Sequence, residues 1–187
     1  VEQLGQPLEV RVHAAPEIER DGRVTRDLRQ RRHRLRHAAL CADPVVMKFL
    51  NATGTPISRA DAWRQMATYL GHWELRGFGT WAVEERSTGE FVGRVGLHYP
   101  EGWPDRELGW TIARKFWGKG YASESARASI SHAFDTLGWT HLVSLIHPEN
   151  HRSARLAEPL GYHASGTADV VGLHLIMYRL DRSTRSA

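Results

Sequence analysis

The chain has 187 residues, the length of a single domain, and its 41% hydrophobic residues are enough to form a buried core. Its only cysteine, Cys41, excludes an internal disulfide, and neither a secretory signal nor an apolar run of membrane-spanning length is visible. We therefore expect a cytoplasmic protein that does not contact membranes.

The net charge of +4 is concentrated in one short stretch. Residues 20–36 contain eight arginines and two aspartates, so this run carries +6 and the remainder of the chain carries −2. A mildly acidic body suits an amine substrate better than a nucleic acid. An RNA-binding arm or a dimer contact remain alternatives for the run, but a solvated basic segment is the more typical interpretation.

The first part of the chain carries few structural signals. Leu8, Val10 and Val12 alternate with charged residues and predict one strand. We interpret residues 1–34 as an atypical Arg-rich segment, out of frame or otherwise foreign to the domain formed by residues 35–187.

Helices dominate the next part. Residues 35–42 predict a helix that ends at Asp43-Pro44, since a residue before proline avoids the helical conformation. Residues 45–50 form a short apolar turn. The capping box from Ser58 to Asp61 begins a second helix, which ends at Gly77.

Strands and helices alternate over the second half of the chain. Turn signals at residues 87–89 and apolar alternation on both sides predict a hairpin. The predicted strands are 80–85, 91–98, 108–112, 143–146, 162–168 and 173–180, and the predicted helices are 122–137, ended by Gly138, and 151–160, ended by Gly161.

The loop between the third strand and its helix has the features of an anion site. Gly118 and Gly120 allow the backbone to turn its N–H groups towards a phosphate, and the following helix N-terminus favours negative charge. Neither the Walker A spacing nor the dinucleotide-binding glycine spacing is present. A glycine-containing turn without a ligand is the alternative.

Four ordered motifs resemble the GNAT superfamily, and specifically its RimJ/RimL-like branch of ribosomal-protein N-terminal acetyltransferases. The loop resembles the acyl-CoA pyrophosphate motif Arg/Gln-x-x-Gly-x-Gly/Ala, with Lys115 in place of the first residue. Pro159 replaces a residue that is usually basic. The four stretches are Ala42–Leu50, Gly93–Leu97, Glu107–Glu124 and Asn150–Tyr162.

The resemblance implies an α/β fold, with a mixed, mostly antiparallel central sheet flanked by helices and parallel strands that splay apart at the cofactor site. Acetyl-CoA is the implied cofactor. Its pantetheine would meet backbone groups of one strand and the Asn150 side chain, although Asn150 also suits a helix N-cap. The implied cofactor-binding residues are Trp110, Thr111, Ile112, Lys115, Trp117, Gly118, Lys119, Gly120, Tyr121, Ala122 and Asn150.

The amine acceptor must lose a proton, so a general base is needed. Glu107 is the expected base, with a surface salt bridge as its alternative role; His98 and Glu84 are weaker candidates. The resemblance implies Ser153 as the proton donor to the leaving thiolate.

We thus expect an N-acetyltransferase, an acyltransferase that moves an acetyl group to a protein N-terminus, a lysine or a small amine by direct attack in a ternary complex. A non-catalytic CoA-binding or regulatory module is the alternative, and a homodimer is possible. No metal site is expected, because Pro148 disrupts the spacing of His147, Glu149 and His151. Cys41, in an apolar stretch, is expected to be a packing thiol.

Overall fold

The computed structural model describes residues 10–13, 35–85 and 87–185, which include one seven-stranded sheet. The strand order is β1-β2-β3-β4-β5-β7-β6, and all neighbouring strands are antiparallel except β4 and β5. The strands are β1 (Val10–His13), β2 (Thr80–Glu85), β3 (Phe91–His98), β4 (Glu107–Ile112), β5 (His141–Ile146), β6 (His163–Val170) and β7 (Leu173–Asp181). The predicted mixed, mostly antiparallel sheet is confirmed.

The helices flank this sheet. They are residues 35–41 (α1), α2 (Pro44–Met47), α3 (Arg59–Arg76), α4 (Tyr121–Ser131) and α5 (His151–Ala157). A π-helical turn, His132–Thr136, extends α4, and 3₁₀ turns occupy Arg114–Phe116, Glu158–Leu160 and Arg182–Arg185. None of the helices within the described residues combines the length and the apolar character needed to cross a membrane.

Most predicted helix ends are confirmed, and two segments differ. The predicted apolar turn at 45–50 begins as α2, because the Asp43 carboxylate accepts hydrogen bonds from the Val45 and Val46 N–H groups and caps a helical turn. The predicted helix 151–160 changes to a 3₁₀ turn at Glu158, where Pro159 lacks the N–H needed to continue α-helical bonding.

Only four residues of the Arg-rich segment are described. Val10–His13 forms β1 and pairs antiparallel with β2, which confirms the strand predicted from Val10 and Val12. Leu8 and the arginine run lie outside the described residues, and the boundary at residue 34 stays a prediction.

The two faces of the central strands differ in chemistry. Side chains of β3 and β4 that face α4 are apolar, and Val95, Leu97 and Leu108 are almost fully buried there with Phe134. The opposite face is polar, since the register places His98 beside Glu107 and Arg94 beside Thr111. Helix α3 covers this polar face.

His72 fixes α3 to the sheet. Its Nε2 accepts the Tyr99 N–H at 2.9 Å, which leaves Nδ1 to donate to the Phe78 carbonyl at 2.8 Å. Its ring also stacks on His98 with centroids 5.4 Å apart. One side chain therefore joins α3 to the segments that follow β3 and precede β2.

Strands β4 and β5 meet at one end and then separate. Glu107 and Val143 are their only registered pair, supported by a hydrogen bond from the Val143 N–H to the Arg106 carbonyl at 2.9 Å. Beyond it the Ser144 hydroxyl bridges to the Leu108 carbonyl at 2.7 Å. The predicted splaying of the parallel strands is confirmed.

Two glycines on adjacent strands provide a matched test of this packing. An added Cβ at Gly93 would lie 2.2 Å from the Thr111 carbonyl oxygen, whereas one at Gly109 would meet only Glu107 Oε1, at 3.8 Å. We expect Gly93→Ala to cost about 3 kcal/mol, because it overpacks the β3–β4 pair, and to lower Tm by roughly 6–12 °C. Gly109→Ala should change Tm by less than about 2 °C. Thermal unfolding by circular dichroism measures both, and equal losses would contradict this account of the strand pair.

Candidate active site

A cleft of about 910 Å³ opens where β4 and β5 separate. Its walls are the second half of β4, the loop leading to α4, the N-terminal turn of α4, and α5 with α2 opposite. The lining residues are drawn from the ranges 45–50, 110–123 and 149–156. Its volume falls in the range of pockets that enclose small ligands and cofactors.

The glycine loop presents backbone N–H groups to this cleft. Gly118 and Gly120 have φ of 74° and 86°, a left-handed conformation that favours glycine. Gly120 is the N-cap of α4 and makes no side-chain cap hydrogen bond. Within the described part of the chain, the N–H groups of residues 120–123 have no hydrogen-bond acceptor, so they and the helix dipole favour an anion here.

Trp117 has a different role from the one expected. Its backbone N–H donates to the Arg114 carbonyl at 3.1 Å and is therefore not available to a phosphate. Its indole N–H donates to the Ile112 carbonyl at 2.7 Å and ties the loop to the end of β4. The expectation that the Trp117 amide joins the anion site is corrected.

Most cationic side chains of the cleft are arginines. Lys115 pairs with Glu90, and neither Lys115 nor Lys119 lines the cleft. The cations that line it are three arginines, Arg114, Arg152 and Arg155, together with Lys48, which lies 4.0 Å from Glu149. The Arg152 guanidinium also lies 3.7 Å from the Trp117 ring centroid, a cation–π contact that orients it.

None of these arginines is among the cofactor-binding residues expected from the sequence. Arg152 and Arg155 are spaced i, i+3 just after the predicted cap residue Asn150, which places them on one face of the first turns of α5. That spacing is the feature of the sequence from which both arginines could have been predicted to face the cleft.

The backbone of β4 presents alternate residues to the cleft. The Ala113 N–H donates to the Val92 carbonyl at 2.8 Å, so alternation along the ladder turns the backbone groups of Thr111 towards β3 and those of Trp110 and Ile112 towards the cleft. Thr111 therefore cannot offer its backbone to a ligand, which corrects the expectation for that residue. Among the described residues, the N–H and carbonyl of Trp110 and the N–H of Ile112 have no partner, whereas the Ile112 carbonyl accepts the Trp117 indole N–H.

Asn150 and Ser153 join α5 to β4. The Asn150 side-chain carbonyl accepts the Ser153 N–H at 3.2 Å, so Asn150 is the N-cap of α5, and its amide N–H groups have no acceptor among the described residues. The Trp110 indole N–H donates to the Ser153 hydroxyl oxygen at 3.2 Å. This bond leaves the Ser153 proton available to another acceptor.

Glu107 lies at the closed end of the strand pair. Trp103 donates its indole N–H to Glu107 Oε2 at 2.8 Å. Burial raises the pKa of Glu107 to about 7, against the opposing effects of the Trp103 bond, the Leu145 backbone and Arg94. Glu107 forms no ion pair with any described residue, so the salt-bridge alternative has no support here.

The two other candidate bases are less suitable. Burial, then the charges of His72 and Arg94, lowers the pKa of His98 to about 4, which makes it a weak base. Glu84 lies on β2, with β3 between it and β4. Glu107 is thus the carboxylate whose position and pKa both suit proton transfer near neutral pH.

The remaining predicted side chains have structural partners. The His147 ring stacks on Phe49 with centroids 5.0 Å apart, and Glu149 lies 4.0 Å from Lys48. Across the described ranges, no group of three or more His, Cys, Asp or Glu side chains is arranged to hold a metal ion. Cys41 is 2% exposed, and burial raises the pKa of its thiol, which confirms a packing role.

Comparison with known proteins agrees with this geometry. The family model of the acetyltransferase (GNAT) domain matches residues 26–163. The chain is 38% identical over 96 residues to YkkB, an uncharacterised protein of Bacillus subtilis (strain 168), a match that covers 49% of this chain and 56% of YkkB. It is 30% identical over 128 residues to an uncharacterised N-acetyltransferase, p20, of Bacillus licheniformis, covering 67% of this chain and 70% of p20. The chain thus spans little more than half the length of YkkB.

A solved structure shows the same fold. The crystal structure of an acetyltransferase from Agrobacterium tumefaciens str. C58 is 30% identical in sequence and superposes with a TM-score of 0.68. The superposition covers 78% of this chain and 83% of that one. From the family match, the splayed strands and the N–H-rich loop, we conclude that this chain belongs to the GNAT acetyltransferase family.

Proposed function

We propose that the protein moves an acetyl group from acetyl-CoA to a primary amine by direct attack in a ternary complex. One observation carries the proposal: free backbone groups on β4 connect the N–H-rich loop at one end of the cleft with Glu107 beyond its other end. This arrangement can hold an extended donor and a proton acceptor along the same strand.

The residues present fit acetyl-CoA. The N–H groups of residues 120–123 suit the diphosphate, and Arg114, Arg152 and Arg155 supply positive charge around it. The free groups of Trp110 and Ile112 can pair with the pantetheine amides as an added strand would, and the Asn150 amide can donate to the same arm. When bound, acetyl-CoA supplies an activated thioester.

Glu107 and Ser153 carry out the proton transfers of the reaction. A lysine or N-terminal amine has a pKa of about 10 or 8, so the acceptor arrives largely protonated and must lose a proton to attack. Glu107 accepts that proton, directly or through water. The amine nitrogen then bonds the acetyl carbon as the carbon–sulfur bond breaks. The second proton that nitrogen loses passes through the Ser153 hydroxyl to the departing sulfur, so Ser153 ends protonated, and Glu107 releases the first proton to solvent. A thiol of pKa about 8.5 needs little such help, so Glu107 carries more of the catalysis.

The finer assignment follows from the sequence motifs. Their order supports the RimJ/RimL-like branch, with a peptide or small-molecule amine as acceptor. The single cysteine supports a cytoplasmic location. A homodimer stays a prediction, and nucleic acid is not an expected partner. A non-catalytic CoA-binding module would bind CoA without turning over any amine.

Replacement of Glu107 by glutamine tests the base. We expect Glu107→Gln to lower kcat/KM by about 10²- to 10⁴-fold, because it removes the proton acceptor and keeps the shape of the side chain. In the wild type, kcat/KM should fall as pH drops below about 7, where Glu107 becomes protonated. The variant should lose this inflection and keep only that of the acceptor amine.

A nearby carboxylate provides the control. Glu101, in the loop before β4, has a fully exposed side chain, so Glu101→Gln should leave the rate and the pH profile unchanged. Steady-state kinetics between pH 5.5 and pH 9 measure all three proteins. An inflection near pH 7 that persists in Glu107→Gln would assign the base to another residue.

The arginines of the cleft provide the test of cofactor binding. We expect the double variant Arg114→Gln/Arg152→Gln to weaken CoA binding by about thirtyfold, since each exposed charge contact contributes about 1 kcal/mol. The loss should shrink as salt is raised. Isothermal titration of CoA measures both effects.

Lys115→Gln is the matched control, because Lys115 is engaged with Glu90 outside the cleft. We expect its CoA affinity to stay within about twofold of the wild type, the size of a minor surface-charge effect. If Lys115→Gln matched the loss of the arginine variant, the phosphates would have to bind on the lysine side of the loop instead.

A further inference from the structure

The polar face of β3 and β4, under α3, contains a cation that has no ion-pair partner among the described residues. This cation, Arg94, is half-buried, and its guanidinium lies 4.8 Å from the Tyr69 ring centroid. Its Nε is buried and makes no hydrogen bond to a described residue, and no described carboxylate lies within ion-pair distance of it. Burying a charged donor without a partner is costly, so such a group is expected to meet one in the working state.

Two histidines contact the same tyrosine as Arg94. His98 and His37 each have a buried Nδ1 that has no hydrogen-bond partner among the described residues. Their rings contact Tyr69 edge-on, at 6.0 Å and 6.1 Å between centroids. Three unsatisfied polar atoms thus gather around one tyrosine.

Gly109 leaves room on the polar face next to Glu107. It lies on β4 between Glu107 and Thr111, and Thr111 pairs with Arg94 of β3. Among the described atoms, a Cβ added at Gly109 would have only Glu107 Oε1, at 3.8 Å, within 4 Å. Positions 107 and 111 are roughly 13 Å apart along the strand. Arg94, His98, Glu107 and Gly109 are all half-buried, so the space is reachable from outside.

The side chains of this region favour an anion over a polycation. Burial lowers the pKa of His37 and of His98 to about 4, so neither adds positive charge near pH 7. An arginine side chain is cationic at physiological pH, and burial raises the pKa of Glu107 to about 7. Arg94 is therefore the group that a ligand meets here as a charge, and it favours a carboxylate over the second ammonium of a polyamine.

We propose that the acceptor is a primary amine that also carries a carboxylate, as a free amino acid does, with Arg94 binding the carboxylate and Glu107 facing the amine across Gly109. This inference rests on the proposed acetyl transfer. It favours a small zwitterion over a protein N-terminus, a lysine side chain or a polyamine. Arg94 is then a specificity-determining residue.

Matched acceptors test the inference. L-Leucine, L-leucinamide and isoamylamine share one side chain and differ in the carboxylate, and other amino acids can be grouped in the same way. We expect kcat/KM for the amino acids to exceed that for their amides and amines by tenfold or more. Arg94→Gln should remove this preference mainly by raising KM for the amino acids, and leave the amides within about threefold. The thiol released from acetyl-CoA measures the rates.

Two further variants separate binding from structure. Arg76→Gln is the matched control, because Arg76 also lies over an aromatic ring, that of Tyr99, but is exposed and paired with Glu101; its preference should match the wild type. Gly109→Ala should raise KM for the amino acid about tenfold, with unchanged CoA affinity, because the added methyl group occupies the open space.

The outcomes are distinguishable from failure of the proposed function. CoA binding without turnover of any amine would end the catalytic proposal, and calorimetric titration of the same amino acids into the CoA-loaded protein would still test Arg94. Amides or simple amines acetylated as well as amino acids would overturn the inference. So would equal losses for all three acceptors in Arg94→Gln, or no Arg94-dependent binding of any amino acid.

Discussion

The separation of β4 from β5 is the constraint on which the site depends. One registered pair and one serine hydroxyl hold the strands together at the Glu107 end, and no ladder continues beyond them. If the strands stayed paired, the backbone groups of Trp110 and Ile112 would be consumed by β5 and the cleft would close. Because they separate, the same strand ends in a buried carboxylate on one side and leads into an N–H-rich loop on the other.

The site has two regions that differ in electrostatic character, one exposed and rich in cations and the other half-buried with few charges. Around the loop, exposed arginines and helix N–H groups favour a highly charged anion in a wet cleft, where each contact is weak and several act together. Under α3, burial lowers the pKa values of His37 and His98 and raises that of Glu107, so few charges act there and each has a large effect. The apolar face against α4 provides the packing that allows the other face to remain polar.

Local signals predicted most of the elements, and long-range geometry decided the rest. Strand alternation, the Ser58 cap and the glycines at 77, 138 and 161 are readable within a few residues, and all of them hold. The direction of the Thr111 backbone depends on its register with β3, and the replacement of Lys115 by arginines depends on which side chains reach a cleft built from four segments. The side chains around Arg94 come from α1, α3, β3 and β4, so no pattern within one stretch of sequence predicts that they meet.

The two faces of β3 and β4 have a consequence for how this protein tolerates change. Successive residues along the middle of each strand lie on opposite faces: one packs the interior and the next lies on the polar face under α3. In a scan of substitutions along either strand, the effects should therefore alternate from one position to the next. Changes on the packed face should lower the yield of soluble protein, and changes on the polar face should alter the choice of acceptor. New acceptor preferences can be selected at every second position while the fold is preserved by the positions between them.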